Sequence, residues 1–203
     1  MHEPIKAITS LEQLDKCLAA CYAVASSEIM SGRGFYQVQG RYFKYPNGTR
    51  QWREWVDKRP ATVVVPEDPD GNFVMVIQPT GVPEDVKAMI QFPSGYAERG
   101  EDAKTTGIRE MLEETGLSAS SENITDLGAH HQDPGLIAKP VHVYLAEYCV
   151  QHYRPKLDQG EYIQLYKVSK SMFMQMLLGG YIKDANTYIA SIKALFHLDR
   201  LTY

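Results

Sequence analysis

The apolar residues of this chain fall mainly into short runs that turn-forming residues separate, which is the pattern of a β-sheet protein. Two runs, at 62–66 and 73–77, are rich in valine, and an Asp-Pro-Asp-Gly turn at 68–71 joins them. Further strands are predicted at 86–92, 124–132, 141–150 and 162–168. These runs predict several β-strands separated by turns.

Helical spacing of apolar residues, with capping residues and glycines at the ends, predicts four helices. The first two are predicted from Leu11 to about Ile29 and from about Asp102 to Thr115, and a short third helix from Ser169 or Ser171 to Gly179. Asp184 caps the last helix, on which an apolar stripe is formed by Tyr188, Ile189, Ile192, Leu195 and Phe196. The second helix contains Gly107, which costs about 1 kcal/mol relative to alanine. A close approach of this helix to the sheet would explain the glycine.

An aromatic-rich region precedes these runs. Residues 35–43 and 49–56 flank Asn47-Gly48, and Asn-Gly between such runs is a strong signal for a β-hairpin. The aromatic residues can serve packing, a dimer surface or a platform that stacks on a base. We therefore predict a small N-terminal subdomain over 1–60, made of the first helix and this hairpin, and a main domain over 61–203.

Composition narrows the classes of function. The chain has 203 residues, a 44% hydrophobic fraction and a net charge of −4, which argues against a general nucleic-acid binder. No apolar run approaches the roughly 18 residues of a membrane span, and the N-terminus lacks a signal-peptide pattern. Three cysteines do not make a disulfide framework, and Cys17 and Cys21 are predicted to be small buried hydrophobes. The sequence thus predicts a cytoplasmic protein without membrane or nucleic-acid partners.

A glycine-bearing loop followed by an acidic helix carries the candidate chemistry. Glu110, Glu113 and Glu114 project from one flank of the predicted helix, where like charges oppose helix formation. Arg109 can offset part of this repulsion, and a hard cation such as Mg2+, which prefers oxygen ligands, can offset the rest. The alternative interpretation is a solvated glutamate face.

The residues from Gly95 to Leu117 follow the spacing Gly-x5-Glu-x7-Arg-Glu-U-x-Glu-Glu-x-Gly-U, where U is apolar. This segment resembles the Nudix box at every defining position. The resemblance implies an α/β fold, an α/β/α sandwich with a mixed sheet. It also implies a diphosphate hydrolase whose loop–helix–loop binds Mg2+, with Mn2+ possible, and the substrate pyrophosphate. It implies that Arg109 locks the carboxylates and that Gly95 contacts substrate. The implied metal ligands are the Ser94 carbonyl, Glu101, Glu110, Glu113, which also counts among the catalytic residues, and Glu114.

Three further segments are similar to the ADP-ribose and ADP-sugar pyrophosphatases of that superfamily. The hairpin segment 47–52 implies Trp52 as the platform for adenine, although Trp52 can also be plain packing. The segment 133–136 implies substrate contacts by Pro134 and Gly135. The segment 158–161 implies Glu161 as general base, and the alternative is an exposed loop acid.

One departure from these relatives concerns the residue after Gln78, where an arginine usually contacts the substrate diphosphate. This chain has Pro79 there. Either Arg53, Arg59, Lys87 or another basic residue substitutes, or the substrate differs from ADP-ribose. The resemblance therefore implies Mg2+-dependent hydrolysis of a nucleoside diphosphate sugar by a homodimer. Alternatives are a dinucleoside polyphosphate, GDP-mannose or coenzyme A as substrate, and a non-catalytic sensor of nucleotide sugars.

Overall fold

The computed structural model describes residues 23–31, 36–79, 88–159 and 161–198. By their internal contacts these residues form two units. The first unit contains the described residues up to Lys58 together with Gly135–Ala138, and the second contains the others from Arg59 onward.

The first unit is an antiparallel sheet of three strands in the order β1-β2-β3, formed by Ala23–Ser31, Gln37–Lys44 and Arg50–Asp57. The predicted hairpin is confirmed, with its turn at 46–48 and Gly48 at a φ of 83°. Gly135–Ala138 adds to β3, since Val56 donates its amide to the Leu136 carbonyl (2.7 Å) and accepts from the Ala138 amide (3.2 Å). The prediction from sequence missed this addition.

The first predicted helix is wrong where the structure describes it. Residues 23–29 lie in β1, which pairs antiparallel with β2 from Ala23 opposite Lys44 to Ser31 opposite Val38. The rest of that predicted helix lies outside the described residues. Pairing with the hairpin outweighs a helical spacing that rests on a serine-containing segment of modest helix propensity.

The second unit contains the remaining strands. Its main sheet has the order β7-β4-β10-β9, in which β4 and β10 are parallel and the other pairs antiparallel. A second sheet has the order β12-β5-β6, and β11 pairs with β8. The strands are β4 Ala61–Pro66, β5 Phe73–Pro79, β6 Ala88–Gln91, β7 Ser94–Tyr96, β8 Leu117–Ser118, β9 Ile124–His130, β10 Val141–Ala146, β11 Val150–Gln151 and β12 Gln164–Val168.

Three α-helices lie in the described part of this unit, and a 3₁₀ turn spans Ser121–Asn123. They are α1 Ala103–Thr115, α2 Lys170–Leu178 and α3 Ala185–His197. Asp102, Ser169 and Asp184 cap their N-termini by accepting backbone amides, and Gly116 ends α1 at a φ of 71°. No helix in the described ranges is long and apolar enough to cross a membrane.

The valines of β4 divide between the two faces of the main sheet. Val63 and Val65 pack in one core with residues of α3, whereas Val64 packs in another core with Met111 of α1. This period-2 alternation places one helix on each side of the sheet. The predicted α/β/α sandwich with a mixed sheet is confirmed.

Two details of the prediction are wrong. On α3 the predicted apolar stripe is buried only in part. Leu195 is 1% exposed, but Tyr188 and Phe196 are 44% and 42% exposed, and the small Ala190 and Ala194 are buried instead. Small residues allow the close packing of helix on sheet that the larger predicted stripe would prevent. The predicted strand at 141–150 is interrupted at 147–149, where Tyr148 has a φ of 56°.

Gly107 lies where α1 crosses the main sheet. A Cβ at this position would approach the Thr62 and Val64 Cγ2 atoms of β4 to 2.8 Å each. Contacts of this length do not occur between carbon atoms without displacement of one of them. The close approach predicted from the sequence is present, and it sets the distance of α1 from the sheet.

Replacing Gly107 with alanine should therefore destabilise the fold. Overpacking typically costs about 1–3 kcal/mol, which exceeds the roughly 1 kcal/mol that alanine gains in helix propensity. Thr62→Ser removes the obstructing methyl but keeps the hydroxyl that donates to the Ala103 carbonyl at 3.1 Å. Denaturant unfolding of both single variants and the double variant should show partial rescue. Strict additivity of the two changes would contradict this interpretation.

Candidate active site

The loop before α1 is held by the sheet. Strand β7 pairs with β4, so that Ser94 lies opposite Val63 and Tyr96 opposite Ala61. The chain then turns, and Asp102 begins α1 by accepting the Thr105 amide at 3.0 Å. The Thr62 hydroxyl of β4 donates to the Ala103 carbonyl at the start of α1, and Gly95 of β7 faces Glu110 on the helix.

Arg109 joins four parts of this segment. Its Nε and Nη2 donate to the two oxygens of Glu101, each at 3.0 Å, in a bidentate pair. Its Nη1 donates to Glu110 Oε1 and Glu113 Oε2, each at 2.9 Å, and Nη2 also reaches the Tyr96 carbonyl at 3.1 Å. Hydrogen bonds to Glu101, followed by the charge of Glu110, raise the pKa of Arg109 above its already high value.

Glu101 is the most fully hydrogen-bonded of these carboxylates. Besides Arg109, it accepts the Glu98 amide at 2.8 Å and the Thr106 hydroxyl at 3.0 Å, both on Oε2. The bonds from Arg109 are the largest cause that lowers the pKa of Glu101 to about 2. Glu101 is therefore an anion that holds the arginine, and its own oxygens are largely occupied.

Glu114 and Glu110 lie deeper than Glu113. Glu114 is only 5% exposed and accepts the Ser94 amide on Oε2 at 3.1 Å. Burial is the main cause that raises the pKa of Glu114 to about 8, and the charges of Glu110, Glu161 and Glu113 add to it. Burial also raises the pKa of Glu110 against the lowering effect of Arg109.

Gly95 provides the space that Glu110 occupies. A Cβ built on Gly95 would lie 2.0 Å from the Glu110 carboxyl carbon and 2.1 Å from Oε1. Any other residue at this position would displace the carboxylate from the loop. The box glycine is thus required by the position of Glu110.

These donors suit a hard divalent cation. The three helix glutamates offer carboxylate oxygens only, and two of them are desolvated beside like charges, an arrangement that a cation would relieve. In the structure, Arg109 binds one oxygen each of Glu110 and Glu113. Within the described ranges, no three acidic, histidine or cysteine side chains converge in the geometry of a metal site. The donor chemistry fits Mg2+, and the ligand roles stay predictions.

The structure places Glu161 near this cluster. Glu161 is exposed, and its negative charge is among the causes that raise the pKa values of Glu110 and Glu114. Its Oε2 accepts the Asp158 amide at 2.9 Å, and its own amide donates to the Asp158 carbonyl at 3.1 Å. The carboxylate is thus held by the turn of its own loop.

The loop that leads to Glu161 is fixed to the end of α1. The amide of Lys156 donates to the Glu113 carbonyl at 2.7 Å, and the amides of His152 and Tyr153 donate to the Gly116 carbonyl. A Cβ on Gly116 would lie 2.0 Å from the Tyr153 carbonyl oxygen, so only glycine permits this contact. Sequence reasoning missed this attachment, because it rests on backbone atoms.

The other predicted substrate residues are spread over both units. In the first unit, the Trp52 ring covers Gly40, meets Tyr42 edge-on at 5.0 Å, and donates from Nε1 to Glu54 at 2.9 Å. Arg53 is exposed in the same hairpin. Gly135 belongs to the first unit, whereas Arg59 and Pro134 belong to the second. Their substrate roles stay predictions, and the segment at 80–87 lies outside the described residues.

Comparison with known families gives the assignment. The NUDIX domain matches residues 57–175, more than half of the chain. The chain belongs to the Nudix family. In this Nudix chain the box is formed by Gly95, Arg109 and the glutamates of α1. Nudix hydrolases generally use divalent metals.

Individual relatives extend over most of the chain. An ADP-ribose pyrophosphatase from Bacillus subtilis (strain 168) is 29% identical over 168 residues, which cover 82% of this chain and 88% of the relative. A methanol dehydrogenase activator from Bacillus methanolicus is 28% identical with the same coverage of both chains. A solved structure described as an ADP compounds hydrolase aligns with a TM-score of 0.74 at 19% identity, covering 89% of this chain and 97% of that chain. This last likeness shows the fold.

Gly95→Ala should remove activity with little loss of stability. The new Cβ would displace the Glu110 carboxylate, and misplacing a catalytic group by about 1 Å can cost about a hundredfold in rate. The matched control is Ser94→Ala, which keeps the backbone amide that binds Glu114. Steady-state rates and melting temperatures of both variants are the measurements. An active Gly95→Ala protein would contradict the role given to this glycine.

Proposed function

We propose that this protein hydrolyses the pyrophosphate bond of a nucleoside diphosphate sugar such as ADP-ribose, with Mg2+ as cofactor. The products are a nucleoside monophosphate, AMP for ADP-ribose, and a sugar phosphate. The single observation that carries the proposal is the set of box carboxylates that Arg109 and Gly95 position. Membership of the Nudix family and the similarity to ADP-ribose pyrophosphatases assign the chain to the Nudix pyrophosphatases. The similarity to the relative from Bacillus subtilis supports ADP-ribose as the first substrate to test.

Each part of the site has a task in this reaction. Glu110, Glu113 and Glu114, with the Ser94 carbonyl, would hold the metal, which polarises phosphoryl oxygens and lowers the pKa of bound water. Arg109 keeps Glu110 and Glu113 pointing toward one place. Glu101 anchors Arg109, since its oxygens already accept hydrogen bonds from three residues.

Glu161 is the proposed general base. Its carboxylate takes a proton from the attacking water, the water oxygen bonds to one phosphorus, and the bridging P–O bond breaks so that the second phosphate leaves. The support is its exposed position near Glu110 and Glu114 and its attachment through the loop to the end of α1. To reach substrate, Glu161 must release the Asp158 amide.

Recognition of the nucleoside is assigned to the first unit. The Trp52 ring is held by Tyr42 and Glu54, which leaves a rigid aromatic surface suited to stacking. Arg53 and Arg59 are the proposed contacts to the substrate phosphates in place of the arginine expected after Gln78. Pro134 and Gly135 are proposed to border the bound sugar nucleotide, and the enzyme is proposed to be a cytoplasmic homodimer.

Two alternatives are kept. Another diphosphate, such as a dinucleoside polyphosphate, GDP-mannose or coenzyme A, is favoured by the absence of an arginine at Pro79, and a substrate panel separates these. The other alternative, from a different class of protein, is a sensor that binds a nucleotide sugar without turnover. Retention of all the box carboxylates favours the enzyme, because a sensor does not need them for catalysis.

The direct test is incubation of the purified protein with Mg2+ and ADP-ribose. We expect AMP and ribose 5-phosphate by chromatography, and we expect Glu114→Gln to abolish turnover while the protein stays folded. Glutamine keeps the shape of this buried side chain but lacks the carboxylate oxygen that would bind the metal. A fully active Glu114→Gln variant would contradict the metal assignment, and intact ADP-ribose with the wild type would contradict the substrate.

Glu161→Gln should lower kcat by about a hundredfold or more, the usual contribution of a general base. Because Glu161 is exposed and is not a proposed metal ligand, Mn2+ affinity and melting temperature should stay unchanged. Asp158→Asn is the matched control, since it removes a neighbouring exposed carboxylate from the same loop. Equal kcat values for the two variants would rule out Glu161 as the base.

A further inference from the structure

Thr106 contains a buried hydroxyl beside the Arg109 cluster. It is the fourth residue of α1 and has 0% exposure. It precedes Arg109 by three residues, so that both project from one helix flank. A buried hydroxyl costs free energy unless it is hydrogen-bonded. The partner of this hydroxyl is therefore a constraint on the site.

Two acceptors lie within reach of the Thr106 hydroxyl. One is the Asp102 carbonyl at 2.9 Å, the usual helix partner four residues earlier, and the other is Glu101 Oε2 at 3.0 Å. The hydroxyl has one proton and can donate fully to only one of them. A bond to an ionised carboxylate is about twice as strong as a bond to a neutral carbonyl. The Thr106 hydroxyl therefore donates its hydrogen bond to Glu101 rather than to the Asp102 carbonyl.

The Thr106 hydroxyl is connected to the proposed metal ligands through Glu101 and then Arg109. Glu101 is held by Thr106 and by the Glu98 amide, and it binds the guanidinium of Arg109 at both oxygens. The remaining nitrogen of that guanidinium binds Glu110 and Glu113. A carboxylate with one donor fewer can rotate, and the arginine that it orients can rotate with it.

We propose that Thr106 is a positioning residue, whose hydroxyl fixes Glu101 and thereby sets the geometry of Arg109, Glu110 and Glu113 for divalent-metal binding. The inference rests on the proposed function in that it concerns the same metal site. It adds a residue outside the defining positions of the box. A valine in this place would fill the same volume without supplying the donor.

The test compares Thr106→Val, which has the same shape without the hydroxyl, with Thr106→Ser, which keeps the hydroxyl. The matched control is Ser191→Ala in α3, because Ser191 is also fully buried and donates to the Thr187 carbonyl four residues earlier. Mn2+ dissociation constants are measured by electron paramagnetic resonance, which needs no substrate. Melting temperatures in EDTA and kcat with ADP-ribose are measured alongside.

We expect Thr106→Val to weaken Mn2+ binding by about tenfold, the usual effect of losing a partner that orients a metal ligand. Thr106→Ser should bind Mn2+ as the wild type does. Ser191→Ala should have a lower melting temperature than the wild type and the same Mn2+ affinity. The fall in kcat of Thr106→Val should follow its metal affinity and should be relieved by excess Mn2+.

Wild-type Mn2+ affinity in Thr106→Val would overturn the proposal, because the hydroxyl would then serve only the Asp102 carbonyl. A Thr106→Ser variant as weak as Thr106→Val would overturn it too, since the methyl group would be responsible. Failure of the wild type to hydrolyse ADP-ribose contradicts the proposed substrate alone, because the Mn2+ titrations are independent of it. Absence of saturable Mn2+ binding by the wild type would overturn both proposals.

Discussion

The site depends on the hydrogen bonds of the Arg109 guanidinium, because they join carboxylates that would otherwise repel one another. It binds Glu101 at both oxygens and reaches Glu110 and Glu113 with one remaining nitrogen. A planar fork with five donors can make these contacts at once, whereas the point charge of a lysine cannot. The helix can therefore carry a dense negative flank and still pack against the sheet.

Three glycines let backbone and carboxylates approach closely enough for this arrangement. Gly107 sets α1 against β4, Gly95 leaves room for Glu110, and Gly116 receives the loop that carries Glu161. At each of these positions, the Cβ of any other residue would lie under 3.0 Å from an atom of the group packed against the glycine. The site is thus built from close contacts along α1, at Gly107, at Glu110 and at the C-terminal end of the helix.

Part of this could be predicted from the sequence because it is local. The caps of α1, the Asn-Gly hairpin turn and the glutamate spacing each depend on residues that lie a few positions apart in the sequence. The long-range parts could not be predicted. The strand at Ala23–Ser31 exists through pairing with β2, and the loop attachment at Gly116 rests on backbone atoms that carry no sequence signal. Thr106 was missed because a threonine in a helix is unremarkable until its neighbour is known to be Glu101.

The most direct test of the account is a crystal structure of the protein soaked in Mn2+, with anomalous data at the manganese absorption edge. The account predicts a peak bounded by the carboxylates of Glu110, Glu113 and Glu114 and by the Ser94 carbonyl, with Arg109 still paired to Glu101. A peak elsewhere, or none at a concentration that supports activity, would contradict it.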